Sequence, residues 1–298
     1  INTCTVREKA YQKGVSLLGR MIALKKRRSD IILGIMGCVA QQEGTALLKK
    51  HPEIDLVLGT REIGNIEGIL KRIEEKGKRV AATDLSVGIN LPVIHEGYFK
   101  GRIKGYISIM EGCNNFCSYC IVPYVRGREK SHPPQSILTH AENLVSQGVR
   151  EVILLGQNVN SYISLEDDGI DFPKLIKMLS KIEGLYRIRF TTSHPKDLSD
   201  ELIKSFKELD NLCPHIHLPF QAGSNSVLKL MNRVYTRETY IDLINKLRES
   251  RPDIAVTSDV IVGFPGETED DFLMTMDLIE KIEFDNLFSF VYSDRKGT

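Results

Sequence analysis

The sequence contains no tryptophan and no apolar run long enough to cross a bilayer. Its longest apolar runs, such as residues 31–36 and 152–155, are far shorter than the roughly 20 residues that a membrane-spanning helix needs. The first residues, Ile1-Asn2-Thr3-Cys4, match neither a secretory signal peptide nor a natural initiation site. These absences predict a cytoplasmic protein without membrane spans, and we interpret the sequence as a piece of a longer chain.

An excess of charge of either sign is also missing. The 40 Lys and Arg residues nearly balance the 39 Asp and Glu residues, and the net charge of +1 does not by itself indicate a nucleic-acid binder. A hydrophobic share of 42% and a charged share of 27% are those of an ordinary globular protein. Basic residues do cluster at 25–28 and around the main cysteine group, where a solvated face or a helix C-terminus is the simpler explanation.

Strand and helix signals alternate along the chain, which indicates the α/β class. Residues 1–95 predict a small N-terminal domain with a mostly parallel sheet, and the aperiodic stretch Ser86–Gly97 is interpreted as the linker. The helices expected in this domain are Val6–Lys26, Gln41–Lys50 and Ile63–Lys76, and the expected strands are Ile31–Met36 and Leu56–Leu58.

Residues 96–298 repeat a strand followed by a helix. The predicted strands are Tyr106–Met110, Glu151–Leu155, Arg187–Thr191, Ile216–Pro219, Ala255–Val262 and Leu287–Tyr292. The predicted helices are Ile137–Ser146, Phe172–Ile182, Glu201–Leu209, Arg237–Ser250 and Asp270–Ile282. Six such units predict a parallel sheet rolled into a complete or partial barrel, with its chemistry at the C-terminal ends of the strands.

Three of the six cysteines, Cys113, Cys117 and Cys120, fall within eight consecutive residues. Such close spacing is poor geometry for mutual disulfides and suits a single metal site. Three thiolates in a C-x3-C-x2-C loop can hold three irons of a [4Fe–4S] cluster and leave the fourth open for S-adenosylmethionine (SAM). Structural zinc is the alternative, with His132 as a fourth ligand, although zinc usually takes paired C-x2-C or C/H spacing.

The loop Glu111–Cys120 directly follows the first predicted barrel strand and resembles the defining motif of radical-SAM enzymes. The longer string Gly112–Glu129, which reads GCNNFCSYCIVPYVRGRE, resembles the methylthiotransferases of that superfamily. The resemblance implies a radical-SAM domain over 96–298 with a (β/α)6 partial TIM-like barrel. It also implies a SAM-binding [4Fe–4S] cluster on the three cysteines and insertion of a methylthio group into an unactivated C–H bond.

Two further cysteines, Cys4 and Cys38, each occupy a predicted strand-to-helix junction, where helix N–H groups favour a thiolate. Taken alone, two such distant cysteines are more simply buried apolar residues. The resemblance instead implies that they are the second and third ligands of an auxiliary [4Fe–4S] cluster, whose first cysteine lies upstream of this sequence. We therefore expect this piece to bind that cluster poorly or with a substitute ligand. Cys213 matches no ligand position and is interpreted as structural.

Polar and glycine-rich stretches follow the second, third, fourth and fifth predicted barrel strands, as a barrel-mouth site requires. Turn chemistry is the alternative for any one of them, and Thr268 with Asp271 predicts a capping box. The resemblance implies that such residues hold SAM, and the candidates are Tyr119, Gln157, Asn158, Ser193, Gln221 and Ile261. Arg126, Arg128 and Arg233 are candidates for RNA phosphate contacts, with surface solvation as the equal alternative.

The resemblance extends to three substrate classes: isopentenyl-adenosine in tRNA, threonylcarbamoyl-adenosine in tRNA, and an aspartate of a ribosomal protein. The strings 6–10 and 156–162 resemble the first class most. It implies that one SAM methylates a sulfur of the auxiliary cluster, while reductive cleavage of another gives a 5′-deoxyadenosyl radical. That radical activates C2–H of the modified adenine at tRNA position 37, which has to be unstacked from the anticodon loop.

The same resemblance implies a flavodoxin or ferredoxin as the electron donor and a monomeric enzyme without a membrane partner. It also implies a C-terminal RNA-binding β-barrel domain, which we do not find in this sequence. The sequence carries Lys130-Ser131-His132 where a second arginine is usual, which weakens the expectation of phosphate contact there. A non-catalytic alternative is an iron–sulfur electron carrier or a zinc-stabilised RNA-binding module.

Overall fold

The structure is a computed structural model that describes residues 1–6, 8–89, 91, 97–164, 169–295 and 298. By its internal contacts the chain forms two compact units. The first comprises Ile1–Pro92, Tyr119–Arg128 and Arg295–Thr298, and the second comprises Val93–Ser118 and Glu129–Asp294. The predicted domain limit at 95/96 stays a prediction, because part of the predicted linker lies outside the described residues. The grouping of Tyr119–Arg128 with the first unit was not predicted.

The strands, in chain order, are β1 (Asn2–Thr3), β2 (Gly34–Gly37), β3 (Leu56–Leu58), β4 (Val80–Ala82), β5 (Lys104–Ser108), β6 (Met110–Glu111), β7 (Lys130–Ser131), β8 (Glu151–Leu155), β9 (Ile163–Ser164), β10 (Ile170–Asp171), β11 (Arg187–Phe190), β12 (His215–His217), β13 (Ala255–Val262) and β14 (Asn286–Val291). The α-helices are α1 (Glu8–Arg27), α2 (Cys38–Glu43), α3 (Thr45–Lys50), α4 (Ile66–Lys76), α5 (Val122–Arg126), α6 (Pro134–Ser146), α7 (Phe172–Leu179), α8 (Asp200–Glu208), α9 (Asn225–Leu230), α10 (Arg237–Ser250) and α11 (Glu269–Ile282). Short 3-10 helices occupy Ile63–Asn65, Val159–Ser161 and Pro195–Asp197. Among the described residues, no helix combines the length and apolarity that crossing a bilayer requires.

The first unit is built on a parallel sheet with the strand order β1-β2-β3-β4. All three residues of β3 are buried, which is typical of a parallel strand covered on both faces. Leu18 of α1, Ile35 of β2 and Val57 of β3 lie in one apolar cluster of this unit. The unit therefore has its own hydrophobic core.

The second unit is built on two three-stranded parallel sheets. Their strand orders are β5-β8-β11 and β12-β13-β14, and a parallel bridge between Ile188 and Leu212 links the run of β11 to the segment before β12. The six strands thus follow one another in chain order with the same direction. This arrangement confirms the predicted (β/α)6 partial TIM-like barrel.

Several predicted elements coincide with the structure, including β3, β8, β13 and α10. The predicted helix Gln41–Lys50 is wrong as a single element, because Gly44 takes φ 52° and separates α2 from α3. The predicted strand Ile216–Pro219 is shifted, since the ladder pairs only His215–His217 with β13. The predicted capping box is confirmed: Thr268 and Asp271 bond reciprocally at the start of α11. Helices α5 and α9, each five or six residues long, were not predicted.

Candidate functional site

The cysteine loop begins directly after β6, at the C-terminal side of the first barrel strand. Gly112 takes φ 85°, which favours glycine, and its N–H donates to Oε1 of Gln157 over 2.6 Å. Cys113 and Cys117 follow in the second unit, each only 8% exposed, and both are free thiols. Cys120 is half-buried and lies in the segment that groups with the first unit. Cys113 and Cys117 thus lie at a strand end, as expected, and the roles of the three cysteines as cluster ligands stay predictions.

Glu129 holds the start of the loop. Its Oε1 accepts hydrogen bonds from the backbone N–H of Asn114 (3.3 Å) and from the hydroxyl of Ser161 (3.0 Å). The N–H of Glu129 in turn donates to Oδ1 of Asn114 over 3.2 Å. Burial raises the pKa of the Glu129 carboxyl, and the hydrogen bond from Asn114 opposes that shift. Glu129 is the last residue of the motif string Gly112–Glu129, but nothing in that string predicts this role.

The thiol of Cys113 is set in surroundings that suit a metal ligand. Burial raises its pKa to about 11, and the backbone N–H of Asn115, which donates to the sulfur, lowers it. Without metal the thiol therefore carries its proton, and binding iron releases it. A buried sulfur that receives an N–H hydrogen bond is the kind of group that holds an iron–sulfur cluster. On these grounds the residues present fit the cluster.

A guanidinium lies beside the second thiol. Arg233 donates from Nη1 to Sγ of Cys117 over 3.5 Å and from Nη2 to the carbonyl of Pro219 over 2.8 Å. Only 7% of Arg233 is exposed. This burial argues against the predicted RNA phosphate contact of Arg233, because a phosphate on the surface cannot reach it.

The predicted SAM candidates of the second unit lie at strand ends, as expected. Asn158 is buried and donates from Nδ2 to Asp197 over 2.7 Å, and Ser193 is 7% exposed. Gln221 takes φ 67°, and its backbone joins β13 on both sides: its N–H donates to Asp259, and its carbonyl accepts from Ile261. Their roles toward SAM stay predictions.

Of the eight buried side-chain polar atoms without a hydrogen-bond partner among the described residues, five lie in the C-terminal half of a barrel strand or in the segment that follows one. They are Oε2 of Glu111, Oδ1 of Asn158, Oγ of Ser193, Oδ1 of Asp259 and Oε1 of Glu267. Because buried polar groups are normally satisfied, such a collection indicates a place that takes a polar ligand. Sequence reasoning missed Glu111, Asp259 and Glu267, although each stands in or beside a strand end that it had singled out.

No group of three or more His, Cys, Asp or Glu side chains within the described ranges converges as the ligands of one metal ion do. The structural-zinc alternative needs such a closed group. Its proposed fourth ligand, His132, is 3% exposed, and burial lowers the pKa of its imidazole to about 4.

In the first unit, strand register brings Cys4 and Cys38 together. Thr3 pairs with Gly37 in the β1–β2 ladder, and these are the last residues of their strands. A cysteine directly follows each strand, Cys4 after β1 and Cys38 after β2. The side chains of Cys4 and Cys38 share a hydrogen bond, which together with burial raises the pKa of the Cys38 thiol. Arg126 donates to the same sulfur and opposes that shift.

The remaining predicted residues have mixed placements. Arg126 is half-buried beside Cys38, which differs from the predicted place on an RNA-contacting surface. Arg128 is exposed, and its carbonyl accepts a hydrogen bond from Arg61 over 2.8 Å. Tyr119 is half-buried in the segment that groups with the first unit. The backbone N–H of Cys213 donates to Ile188 over 2.9 Å.

Comparison with known families settles what this arrangement belongs to. Residues 107–279, more than half of the chain, match the Radical SAM superfamily. The chain belongs to the radical SAM superfamily. Membership implies a [4Fe–4S] cluster and SAM as cofactors, in agreement with the cysteine loop. Residues 1–59 match a second family, described as uncharacterized protein family UPF0004.

About half of the residues of this radical SAM chain are identical to those of curated relatives over the aligned length. It is 50% identical over its full length to the tRNA-2-methylthio-N(6)-dimethylallyladenosine synthase of Syntrophus aciditrophicus, of which it covers 65%. The enzyme of the same name from Syntrophotalea carbinolica is 48% identical, with 68% of its length covered. The chain therefore belongs to the family of these proteins. It spans slightly less than two thirds of the first relative.

Solved structures with similar folds have little sequence in common with it. The radical S-adenosylmethionine methyltransferase TsrM from Kitasatospora setae has a TM-score of 0.68 at 17% identity, covering 91% of this chain and 58% of that one. The cobalamin-dependent S-adenosylmethionine radical enzyme OxsB has a TM-score of 0.63 at 13% identity, covering 94% of this chain and 43% of that one. These likenesses support the fold.

Proposed function

We propose that this chain carries the catalytic part of a radical-SAM methylthiotransferase that adds a methylthio group to C2 of N6-isopentenyladenosine at tRNA position 37. The observation that carries the proposal is the identity of about 50% along the whole chain to enzymes named for this reaction. When bound, the cluster and SAM supply the one-electron chemistry that activates a C–H bond. The protein's part is to hold the cluster, to orient SAM and the substrate, and to shield the reacting atoms from water.

Cys113, Cys117 and Cys120 are the proposed cluster ligands. The unsatisfied atoms at the barrel strand ends are available to the amino, carboxylate and ribose hydroxyl groups of SAM, which together need both donors and acceptors. Asn158 and Ser193 are the best supported of these, because both are buried and each presents an unsatisfied oxygen. Tyr119, Gln157, Gln221 and Ile261 complete the proposed cofactor wall.

Cys4 and Cys38 are proposed as two ligands of an auxiliary [4Fe–4S] cluster in the whole protein. Their support is the contact between the two thiols, which sequence distance alone does not give. Two cysteines leave a cubane short of the usual ligands, so a further thiolate from outside this sequence is part of the proposal. The proposed partners are the anticodon loop of tRNA and a flavodoxin or ferredoxin, in the cytoplasm.

The full-length gene, expressed in a strain that lacks its own enzyme for this step, tests the substrate. Nucleoside mass spectrometry of digested tRNA should show isopentenyl-adenosine converted to its 2-methylthio form. The same protein with Cys113→Ala is the control and should leave the nucleoside unmodified. If the unaltered, cluster-loaded protein also leaves it unmodified, the proposed substrate is wrong. Threonylcarbamoyl-adenosine tRNA and the ribosomal-protein aspartate are then tested by nucleoside and peptide mass spectrometry.

A further inference from the structure

Arg233 is a buried cation that faces a cysteine sulfur. It is 7% exposed, and its Nη1 lies 3.5 Å from Sγ of Cys117. Burying a guanidinium costs several kcal/mol unless hydrogen bonds compensate. Its position is therefore set by specific contacts.

The chain just before Arg233 is anchored to the cysteine loop. The carbonyls of Leu230 and Met231 accept hydrogen bonds from the hydroxyl (2.8 Å) and the N–H (3.1 Å) of Ser118, respectively. The next residue, Asn232, donates from Nδ2 to the carbonyl of Phe116 over 2.9 Å. Asn232 also takes φ 56°, the left-handed conformation that commonly ends a helix, and so stops α9. Three consecutive residues thus fix the base of the loop around Cys117.

Two further groups orient the guanidinium itself. Nε donates to the hydroxyl of Tyr235 over 3.0 Å, and Nη2 donates to the carbonyl of Pro219 over 2.8 Å. The Tyr235 hydroxyl in turn donates a hydrogen bond to the carbonyl of Phe220 over 2.9 Å. With Nε and Nη2 engaged in this way, Nη1 is left pointing at the Cys117 sulfur. The planar fork of arginine makes this arrangement rigid, which a lysine ammonium cannot reproduce.

We propose that Arg233 is a positioning residue that acts through Cys117 and raises the reduction potential of the SAM-binding cluster. Reduction adds one electron to the cluster, and part of that charge resides on the cysteine sulfurs. A hydrogen bond and a positive charge at one sulfur stabilise the reduced form more than the oxidised form, and both are established controls of cluster potentials. The inference rests on the cluster that superfamily membership implies, and it is independent of the tRNA substrate.

The test is a redox titration of the full-length protein, reconstituted without oxygen and without SAM. The titrated protein carries Cys4→Ala and Cys38→Ala, which remove the proposed auxiliary cluster, and this background with Arg233 intact serves as the wild type. Dithionite supplies the electron, and the signal of the reduced cluster in electron paramagnetic resonance gives the midpoint potential. Arg233→Met keeps the length and apolar stem but removes charge and donors, and we expect its midpoint potential to be lower than that of the wild type. Arg233→Lys restores the charge and one donor, so we expect it to recover part of the loss.

Arg237→Met is the matched control. Arg237 is also poorly exposed. Its guanidinium pairs with Asp277 and donates to the carbonyls of Met274 over 2.6 Å and Gly223 over 3.4 Å, and none of its side-chain contacts within the described residues involves a cysteine. Its midpoint potential should equal that of the wild type. A cluster-loaded Arg233→Met protein with the wild-type potential would overturn the proposal.

Iron content, measured first, separates loss of the cluster from a change in its potential. If Arg233→Met binds no iron, Tyr235→Phe takes its place, since it keeps the guanidinium and removes the hydroxyl that accepts from Nε and donates to the carbonyl of Phe220. A smaller shift in the same direction is expected for Tyr235→Phe, and an unchanged potential contradicts the proposal. If the unaltered protein binds no cluster at all, the iron–sulfur assignment fails together with this inference. If Arg233→Met lowers the midpoint potential as expected but the unaltered protein leaves tRNA unmodified, the inference holds and the proposed substrate is wrong.

Discussion

The two cysteine sites of this chain are assembled by different means. In the second unit, Cys113 and Cys117 lie four residues apart in one loop, and side chains such as Glu129 and Asn232 hold that loop. In the first unit, Cys4 and Cys38 are 34 residues apart, and the parallel pairing of β1 with β2 brings them into contact. The first kind of site is formed by residues that are close together in the sequence. The second exists only when the sheet has formed.

This difference predicts how each site fails. A loop motif loses its function when a ligand or an anchoring side chain is removed, while the sheet around it remains. A site made by strand register also fails when the register or the turn beside it is disturbed, even if both cysteines are intact. Substitutions in the two units therefore discriminate between these modes of failure.

The largest effect is expected for Cys113→Ala. Removing one of the three thiolates leaves one iron of the cluster without its protein ligand, so formation of 5′-deoxyadenosine from SAM should fall to background. That exceeds the roughly 10–100-fold loss that outer partners of a metal ligand cause. The measurement is deoxyadenosine released under reducing, anaerobic conditions. Cys213→Ala is the control and should keep the activity; wild-type release from Cys113→Ala would mean that the ligand assignment is wrong.

Cys38→Ala should remove one activity and spare the other. Because Cys38 belongs to the register-built site, SAM cleavage at the loop should continue near the wild-type rate while methylthio product disappears. Deoxyadenosine and modified nucleoside are measured in the same reaction. Cys4→Ala should behave in the same way, because the two thiols share one hydrogen bond. Equal loss of both activities in either variant would contradict the division of roles between the two sites.

Most of the barrel could be predicted because its strands and helices carry strong local patterns. The strand Ala255–Val262 and the helix Arg237–Ser250 have the predicted limits, and the order of the six strands follows from their alternation with helices. The short helices α5 and α9 escaped prediction, since five or six residues hold too few turns to show a period. Gly44 divides a predicted helix because it takes a positive φ, and the spacing of apolar residues does not predict that conformation.

The place of the cysteine loop in the fold was predictable from the sequence, and the contacts around the loop were less so. The spacing of the loop cysteines is a local signal, and it led to the same loop that the structure places at a strand end. Arg233 was predicted to contact RNA or solvent, because the sequence around a single arginine does not indicate whether its side chain is buried. Its contact with Cys117 joins residues 116 positions apart and depends on the tertiary fold. The contact of Arg126 with Cys38 was unpredictable for the same reason.

Gly37→Ala tests the register-built site without touching a cysteine. Gly37 takes φ 91°, and an added Cβ would meet the carbonyl of Thr3 at 2.4 Å and Oδ1 of Asn2 at 2.6 Å. Such strain costs about 1–3 kcal/mol, and relieving it has to move β1 away from β2. We expect a lower unfolding temperature and a loss of auxiliary iron, with SAM cleavage preserved. Gly68→Ala is the control, because it lies in α4 with open space around it and should be neutral or slightly stabilising.

If Gly37→Ala retained its full iron content and unfolded at the wild-type temperature, the sheet register would not be what holds Cys4 and Cys38 together. Loss of SAM cleavage in the same variant would show that the two sites are not separately built. Only reduced stability with intact SAM cleavage agrees with the contrast between them.

The last effect is on stability alone and concerns a buried histidine of the second unit, His132, in mild acid. Burial lowers the pKa of His132 to about 4, against about 6.5 for an unfolded histidine. Between these values the unfolded chain binds a proton that the folded chain excludes, so the free energy of unfolding falls as the pH drops from 6.5 toward 4. The full shift corresponds to about 3 kcal/mol, of which roughly half should be lost by pH 5. Urea unfolding at pH 7 and pH 5, comparing wild type with His132→Gln, measures this term. The variant should lose less stability than the wild type over that interval, and equal losses would mean that His132 titrates normally in the folded chain.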